Sequence, residues 1–265
     1  MNGRSFRVGS VRLDARSEGE IIETVAAWAR DRARSGDAVA TRTVCFVNAW
    51  SIASASRDED FRRAINECDL SVVDGVPPAW VGRRLAGTPC DRLSGPDLMH
   101  RLLTAPEHSD LTHFVYGGDA EALARLDFRY SAGGTRRPRR IVGTFSPSLG
   151  DPRPDEEASF LARLEETRPD ILWVCLGTAR QEKWMARMKS RLEVPVMAGV
   201  GAAIDFLSGG KRRAPRWLQR PGLEWLFRLA TEPRRLWRRY LVGNILFARL
   251  ATAALLRRRE RGTDV

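Results

Sequence analysis

Short apolar, β-prone runs alternate along this chain with stretches of helical periodicity, and that alternation leaves few architectures open. The runs fall at residues 43–47 (TVCFV), 70–73 (LSVV), 112–116 (THFVY), 141–143, 171–175 (ILWVC) and 194–200. Helical patterns lie between and after them, at 57–67, 77–85, 95–103, 121–128, 155–167, 181–191 and 202–207. A further helix is predicted over 21–34, where Ser17 and Glu20 form a capping box and Gly36 a stop. Buried strands separated by helices predict βα units around a mainly parallel sheet. Beyond residues 209–215 the strand pattern ends. Residues 217–259 are rich in Trp, Leu and Arg at helical spacing, with breaks at Pro221-Gly222 and near Pro233.

Ligands of parallel sheets bind at the carboxyl ends of strands. That rule selects Asn48, Asp74-Gly75, Gly117-Gly118-Asp119, Gly177-Thr178 and Gly199-Val200-Gly201. Asp74 ends the run SVVDG, where partial burial suits a carboxylate to work as a base; an Asp before Gly is also a common turn. Gly117 and Gly118 let a ligand approach the backbone at a helix start, or simply make a tight turn capped by Asp119. Gln181-Glu182-Lys183-Trp184 opens a helix with polar groups fit to hold a sugar or base; Glu182 alone would also suit a helix N-terminus. Asp205 stands between Ile204 and Phe206, as a ligand or as a satisfied buried carboxylate. In the tail, Arg234 and Arg238 share a helix face, as do Arg235 and Arg239, and Arg228 precedes them. Guanidinium forks suit phosphate oxygens.

Charge separates the chain in two. Of its 44 Lys+Arg and 33 Asp+Glu, residues 211–265 hold 15 and 4, leaving 29 of each sign in the first 210. The whole net charge of +11 therefore sits in the last fifth, which expects a polyanion: nucleic acid, anionic lipid or a phosphorylated ligand. The boundary divides an α/β catalytic domain, residues 1–210, from a basic amphipathic appendage, 211–265. The opening MNGRSFRVGS has no apolar stretch behind it and does not read as a secretory signal. No uninterrupted apolar run reaches the ~18 residues of a spanning helix. Residues 241–256 come closest and include Asn244 and Arg249. Cys45, Cys68, Cys90 and Cys175 form no CxxC pair and read as reduced thiols. The three histidines form no metal-binding pattern, so no metal is expected.

Taken in order, the segments resemble the WecG/TagA/CpsF glycosyltransferases, glycosyltransferase family twenty-six. They are Asn48, Asp74-Gly75, Arg92-Leu-Ser-Gly-Pro-Asp97-Leu-Met99, Tyr116-Gly-Gly118, Leu176-Gly177, Gln181-Glu182-Lys183-Trp184, and Gly199-Val-Gly201 with Asp205-Phe206. Lys211-Arg-Arg-Ala-Pro215, Gly222-Leu-Glu-Trp225, Arg228-Leu229, Glu232-Pro233 and Arg239-Tyr240 complete them. The resemblance implies a Rossmann-like fold with helices on both faces and a basic helical appendage. It implies an inverting, metal-independent enzyme without cofactor, moving a hexosyl or N-acetylhexosaminyl group from a UDP-sugar to a polyprenyl-pyrophosphate-linked sugar. Such transfer feeds wall teichoic acid, common antigen, capsule or exopolysaccharide assembly. Asp74 matches the proposed general base. Asn48, Arg92, Gln181 and Asp205 match polar pocket positions. The tail arginines match residues that neutralise pyrophosphate as the appendage closes. The implied location is cytoplasmic, peripheral on the inner membrane face, with an anionic membrane surface as partner and a tendency to self-associate.

The chain departs from the resemblance at two places. The usual Leu-Gly-small-Pro-Lys-Gln-Glu is Leu176-Gly-Thr-Ala-Arg-Gln-Glu182 here, and the position two before Asn48, often Thr, is Phe46. Two other classes compete. A nucleic-acid-binding α/β protein would explain the basic tail, but the neutral first 210 residues hold no motif of that kind, so nucleic acid is not an expected partner. An oxidoreductase would explain the fold alone, but the glycine fingerprint for dinucleotides is missing.

Overall fold

A computed structural model describes residues 4–31, 40–131, 140–148, 153–211, 213–219 and 222–262. It opens with an antiparallel pair, β1 (Ser5–Val8) and β2 (Val11–Asp14), which the sequence did not predict. Six further strands follow: β3 (Arg42–Val47), β4 (Leu70–Val73), β5 (His113–Gly117), β6 (Ile141–Phe145), β7 (Ile171–Cys175) and β8 (Val196–Gly199). They form one parallel sheet in the order β4-β3-β8-β7-β5-β6, flanked by helices. All six coincide with predicted runs. β4, β5 and β8 are buried at every position, as expected of strands covered on both faces.

The helices between strands are α1 (Glu18–Ala29), α2 (Ala49–Ala55), α3 (Glu59–Asn66), α4 (Val76–Ala86), α5 (Gly95–Thr104), α6 (Ala120–Ser131), α7 (Pro154–Thr167) and α8 (Arg180–Met188), and α9 (Ala203–Leu207) follows the last strand. The tail forms α10 (Arg216–Gln219), α11 (Glu224–Thr231) and α12 (Pro233–Gly262). The capping box of α1 is present: Ser17 N–H donates to Glu20 Oε2 at 2.9 Å, and Glu20 N–H to Ser17 Oγ at 3.3 Å. The predicted stop at Gly36, the end of the 21–34 helix, Arg212 and the Pro221 break lie outside the described residues.

The chain divides into two compact units. The first gathers Met1–Ile21, Cys45–Ser94 and Arg213–Val265. Here α12 packs on α2, α4 and β1. Leu236, Phe247 and Ala251 are its buried side chains, and Gly243 lies on the same stripe. Gly243 allows close approach: a Cβ there would stand 2.7 Å from the Trp50 ring. The opposite face leaves Trp237, Leu241 and Ile245 exposed. Leu236–Glu260 is long and apolar enough, by length and composition, to cross a membrane. An unbroken apolar run missed this because Asn244 and Arg249 interrupt it. Also in this unit, Cys45 and Cys68 are joined by a disulfide, against the reduced thiols expected from their spacing. Twenty-three residues separate them in sequence, a proximity that only the fold creates.

The second unit gathers Ile22–Val44 and Gly95–Arg212. Its centre is β5, paired in parallel with β6 and β7, while β7 also pairs with β8. Trp173 and Phe114 are fully buried there. Above them Phe145, Tyr116 and Trp184 form a stacked layer, with centroid spacings of 5.9 and 4.5 Å and interplanar angles of 6° and 19°. Buried Arg140 closes the end of α5, donating from Nη1 to Leu103 O at 2.6 Å and Leu102 O at 3.3 Å.

Candidate active site

In the first unit, three predicted residues come together through backbone hydrogen bonds. Asp74 N–H donates to Val47 O at 3.0 Å, so Asp74 and Asn48 follow adjacent strand ends. Leu93 N–H donates to Val73 O at 3.0 Å, bringing the loop that carries Arg92 alongside. Asp74, Asn48 and Arg92 are all half-buried. Asn48 is the N-cap of α2: its Oδ1 accepts from Ser51 N–H at 3.0 Å and Ser51 Oγ–H at 3.2 Å. That fixes the amide oxygen on the protein and turns the NH₂ end away from the cap.

The tail joins this group within the same unit. Gly222, at φ 82°, lies so close to α4 that a Cβ would fall 2.7 Å from Val76 Cβ, two residues after Asp74. Arg213 holds the tail's entry, with Nε 3.3 Å from Glu224 Oε1 and Nη2 3.3 Å from Ser94 Oγ. Trp225 and Tyr240 rings lie 5.7 Å apart. Burial raises the Tyr240 phenol above its usual range; Arg228 and Arg239 oppose that rise, while Glu224 and Asp74 add to it. The phenol thus sits in the fields of Asp74 and of two predicted arginines together. The other two, Arg234 and Arg238, are exposed, and Arg238 lies over the Trp237 ring. The side chain of Arg235 is outside the described residues.

The other predicted residues belong to the second unit. Gly117 ends β5 at φ 104°, and a Cβ there would stand 2.6 Å from Cys175 O, so strand packing alone demands glycine. Gly118 accepts from Ser146 Oγ at 2.7 Å. Gln181 is buried, and its Nε2 donates to Gly199 O at 2.8 Å and to Glu182 Oε1 at 2.9 Å. Its Oε1 accepts from Gly201 N–H at 3.0 Å. Both amide protons of Gln181 therefore serve the protein, and the side chain ties the turn after β8 to α8. Glu182 reaches back to Ala179 N–H at 2.7 Å, half of a capping box whose other half an alanine cannot supply. Asp205 is paired with Lys211, Nζ to Oδ2 2.9 Å.

This unit also contains a cavity of about 690 Å³, within the range that takes a small-molecule ligand. Tyr116, Trp184 and Leu176 give it an apolar wall. Arg180, Lys183 and Arg187 give it three cations from one helix. Burial pushes the Tyr116 phenol up to about 12, so it stays protonated. A family profile described as the glycosyl transferase WecG/TagA/CpsF family matches residues 6–261. The chain belongs to that family. It is therefore a WecG/TagA/CpsF glycosyltransferase, an enzyme with a sugar donor and an acceptor. For this glycosyltransferase, residue-by-residue reading missed Arg187, Arg180 and Tyr240 as candidates. The i, i+3, i+7 spacing of Arg180, Lys183 and Arg187 was visible, but which helix face meets a cavity was not.

Proposed function

We propose that this glycosyltransferase is an inverting, metal-independent enzyme with Asp74 as general base. It moves a hexosyl or N-acetylhexosaminyl group from a UDP-sugar to a polyprenyl-pyrophosphate-linked sugar at the inner membrane face, in surface-polysaccharide synthesis. The observation that carries the reading is the grouping in the first unit. A half-buried carboxylate at a strand end has an amide-bearing Asn48 and the Arg92 loop beside it, and basic tail residues around the adjacent Tyr240.

In the step, the acceptor hydroxyl oxygen bonds to the anomeric carbon on the face opposite the diphosphate. Its proton passes to the Asp74 carboxylate, and the bond from the anomeric carbon to the diphosphate oxygen breaks with its electron pair. Arg228 and Arg239 stabilise phosphate charge electrostatically, the role a divalent ion has elsewhere. Asn48 and Arg92 hold sugar hydroxyls. Gln181 acts by holding the turn after β8, and Asp205 by its link to Lys211 at the entry to the tail. Residues 211–265 serve as a closing, membrane-facing segment, whose exposed Trp237, Leu241 and Ile245 meet the lipid interface and favour self-association in its absence.

The test is Asp74→Asn, an isostere that cannot take the proton. Transfer from a UDP-sugar to a synthetic polyprenyl-pyrophosphate sugar, read by mass spectrometry, should fall roughly 10²–10⁴-fold. Donor binding and thermal stability should hold. Near-normal turnover in Asp74→Asn would remove Asp74 as base, and loss of wild-type turnover on adding a chelator would remove the guanidinium role.

A further inference from the structure

We propose that Cys45 and Cys68 form a reversible redox site, whose bond holds both the Asn48 segment and the seat of α12 in place. Its effect on transfer rests on the Asp74 reading above; its effect on α12 does not. The bond closes residues 45–68 into a loop within the first unit. That loop contains Asn48, which caps α2, and Trp50, whose ring lies against Gly243 of α12. It also contains α3, which ends two residues before Cys68. Val47 O, two residues after Cys45, accepts the Asp74 N–H. One covalent link therefore borders both the proposed base and a surface on which α12 packs.

The far side of the bond leads to the same helix. Cys68 O accepts from Arg12 Nη2 at 2.6 Å. Asn66 is bound twice to the β1–β2 pair: Arg12 N–H donates to its Oδ1 at 2.8 Å, and its Nδ2 donates to Ser10 O at 3.0 Å. The turn of that pair meets α12, since a Cβ on Gly9 would stand 3.2 Å from Leu250 Cδ2. α12 is thus seated at Trp50 and at Gly9, and the disulfide ties together the segments behind both. Two thiols need more room than one disulfide. Cys45 is wholly buried in β3, whereas Cys68 keeps 6% exposure, so the turn at Cys68 is the side that gives on reduction. Its movement acts on Arg12 and Asn66 and hence on the β1–β2 pair. Disulfides in a reducing compartment are typically exchangeable rather than permanent, which reconciles this bond with the cytoplasmic side proposed for the enzyme.

The exchange takes an external dithiol. One of its thiolates attacks Cys68 Sγ, and Cys45 Sγ leaves with the electron pair of the S–S bond and takes up a proton. The second thiolate attacks the mixed disulfide and frees Cys68, which is protonated in turn. The dithiol ends as its own disulfide, and the chain has gained two electrons and two protons.

The full chain, equilibrated under native conditions with dithiothreitol or with its oxidised form, is alkylated in denaturant and weighed by mass spectrometry. Of the four cysteines, Cys90 and Cys175 alone should be alkylated after oxidation, and all four after reduction. Reduction should quicken amide hydrogen exchange in β1, β2 and α12 roughly tenfold or more. Transfer should fall by about tenfold as the Asn48 segment loosens. Cys45→Ala with Cys68→Ala should match the reduced protein and ignore dithiothreitol; reduced wild type gives the same comparison should that variant fold poorly. Four free thiols at every redox poise, or a bond that resists dithiothreitol in the folded chain, would overturn the proposal. So would reduction that leaves amide exchange unchanged, or that leaves a measurable transfer rate unchanged. If reduction quickens amide exchange while neither form moves sugar, the redox site stands and the transfer reading falls.

Discussion

At the residue scale the clearest signal is Ala179. It adopts φ 71° and ψ −43°, a conformation close to the strained γ-turn that L-residues avoid. The motif that this turn resembles has proline at the matching place, which this chain lacks. The geometry of this turn excludes it. Proline is locked near φ −65° and has no N–H, whereas this residue needs positive φ and donates its N–H to Glu182 at 2.7 Å. Ala179→Gly should therefore stabilise the protein by about 1 kcal/mol through strain relief, and Ala179→Pro should destabilise it by about 3 kcal/mol or more. Urea midpoints of the three proteins decide it; a stable Ala179→Pro would mean the turn is shaped differently. Gln181 teaches the complementary lesson. Its polarity and place suggested a pocket residue, but that its amide is saturated by Gly199, Glu182 and Gly201 depends on where two distant loops meet.

At the element scale, what sequence reveals tracks how local the cause is. The sheet strands were legible as apolar runs, which burial on both faces makes continuous in β4, β5 and β8, and the α1 cap because Ser17 and Glu20 are three residues apart. The β1–β2 pair was missed because its strands are four residues long and its inward side chains Phe6, Val8, Val11 and Leu13 alternate with arginines. The helix α2 was missed because AWSIASA is short, and only Asn48 marks its start. In the tail, helicity was plain, yet its two faces were not. Phe247 is buried in the first unit while Leu241 and Ile245, equally apolar, are about 60% and 57% exposed. The two faces should separate in experiment. Phe247→Ala should cost roughly 3–5 kcal/mol of stability. Leu241→Glu with Ile245→Glu should leave the thermal midpoint within a few degrees but strongly reduce sedimentation with anionic vesicles. Undiminished sedimentation of the double variant would remove this face as the lipid contact.

At the scale of the whole molecule, charge and burial are distributed so that pH acts on the interior rather than on the tail, whose arginines stay charged throughout the accessible range. The sensitive group is His113 on β5. Its Nδ1 accepts from Trp173 Nε1 at 3.2 Å, so the folded chain holds the neutral ring. Burial lowers its pKa from 6.5 to about 3, with nearby Arg140 and His108 adding repulsion and a Leu102 backbone contact opposing the shift. The unfolded chain takes up a proton near pH 6.5 that the folded chain refuses until about pH 3. This contribution to stability is complete above 6.5 and falls as pH drops toward 3, by about 1.4 kcal/mol per unit. Between pH 7 and pH 5 it amounts to about 2 kcal/mol. His113→Asn keeps an acceptor beside Trp173 but cannot titrate, so its unfolding free energy should change less over that interval by this amount, even if it starts lower. Urea denaturation at the two pH values gives the comparison. Parallel slopes for wild type and His113→Asn would show that the imidazole is already charged in the folded chain, or that β5 opens to solvent before the rest unfolds.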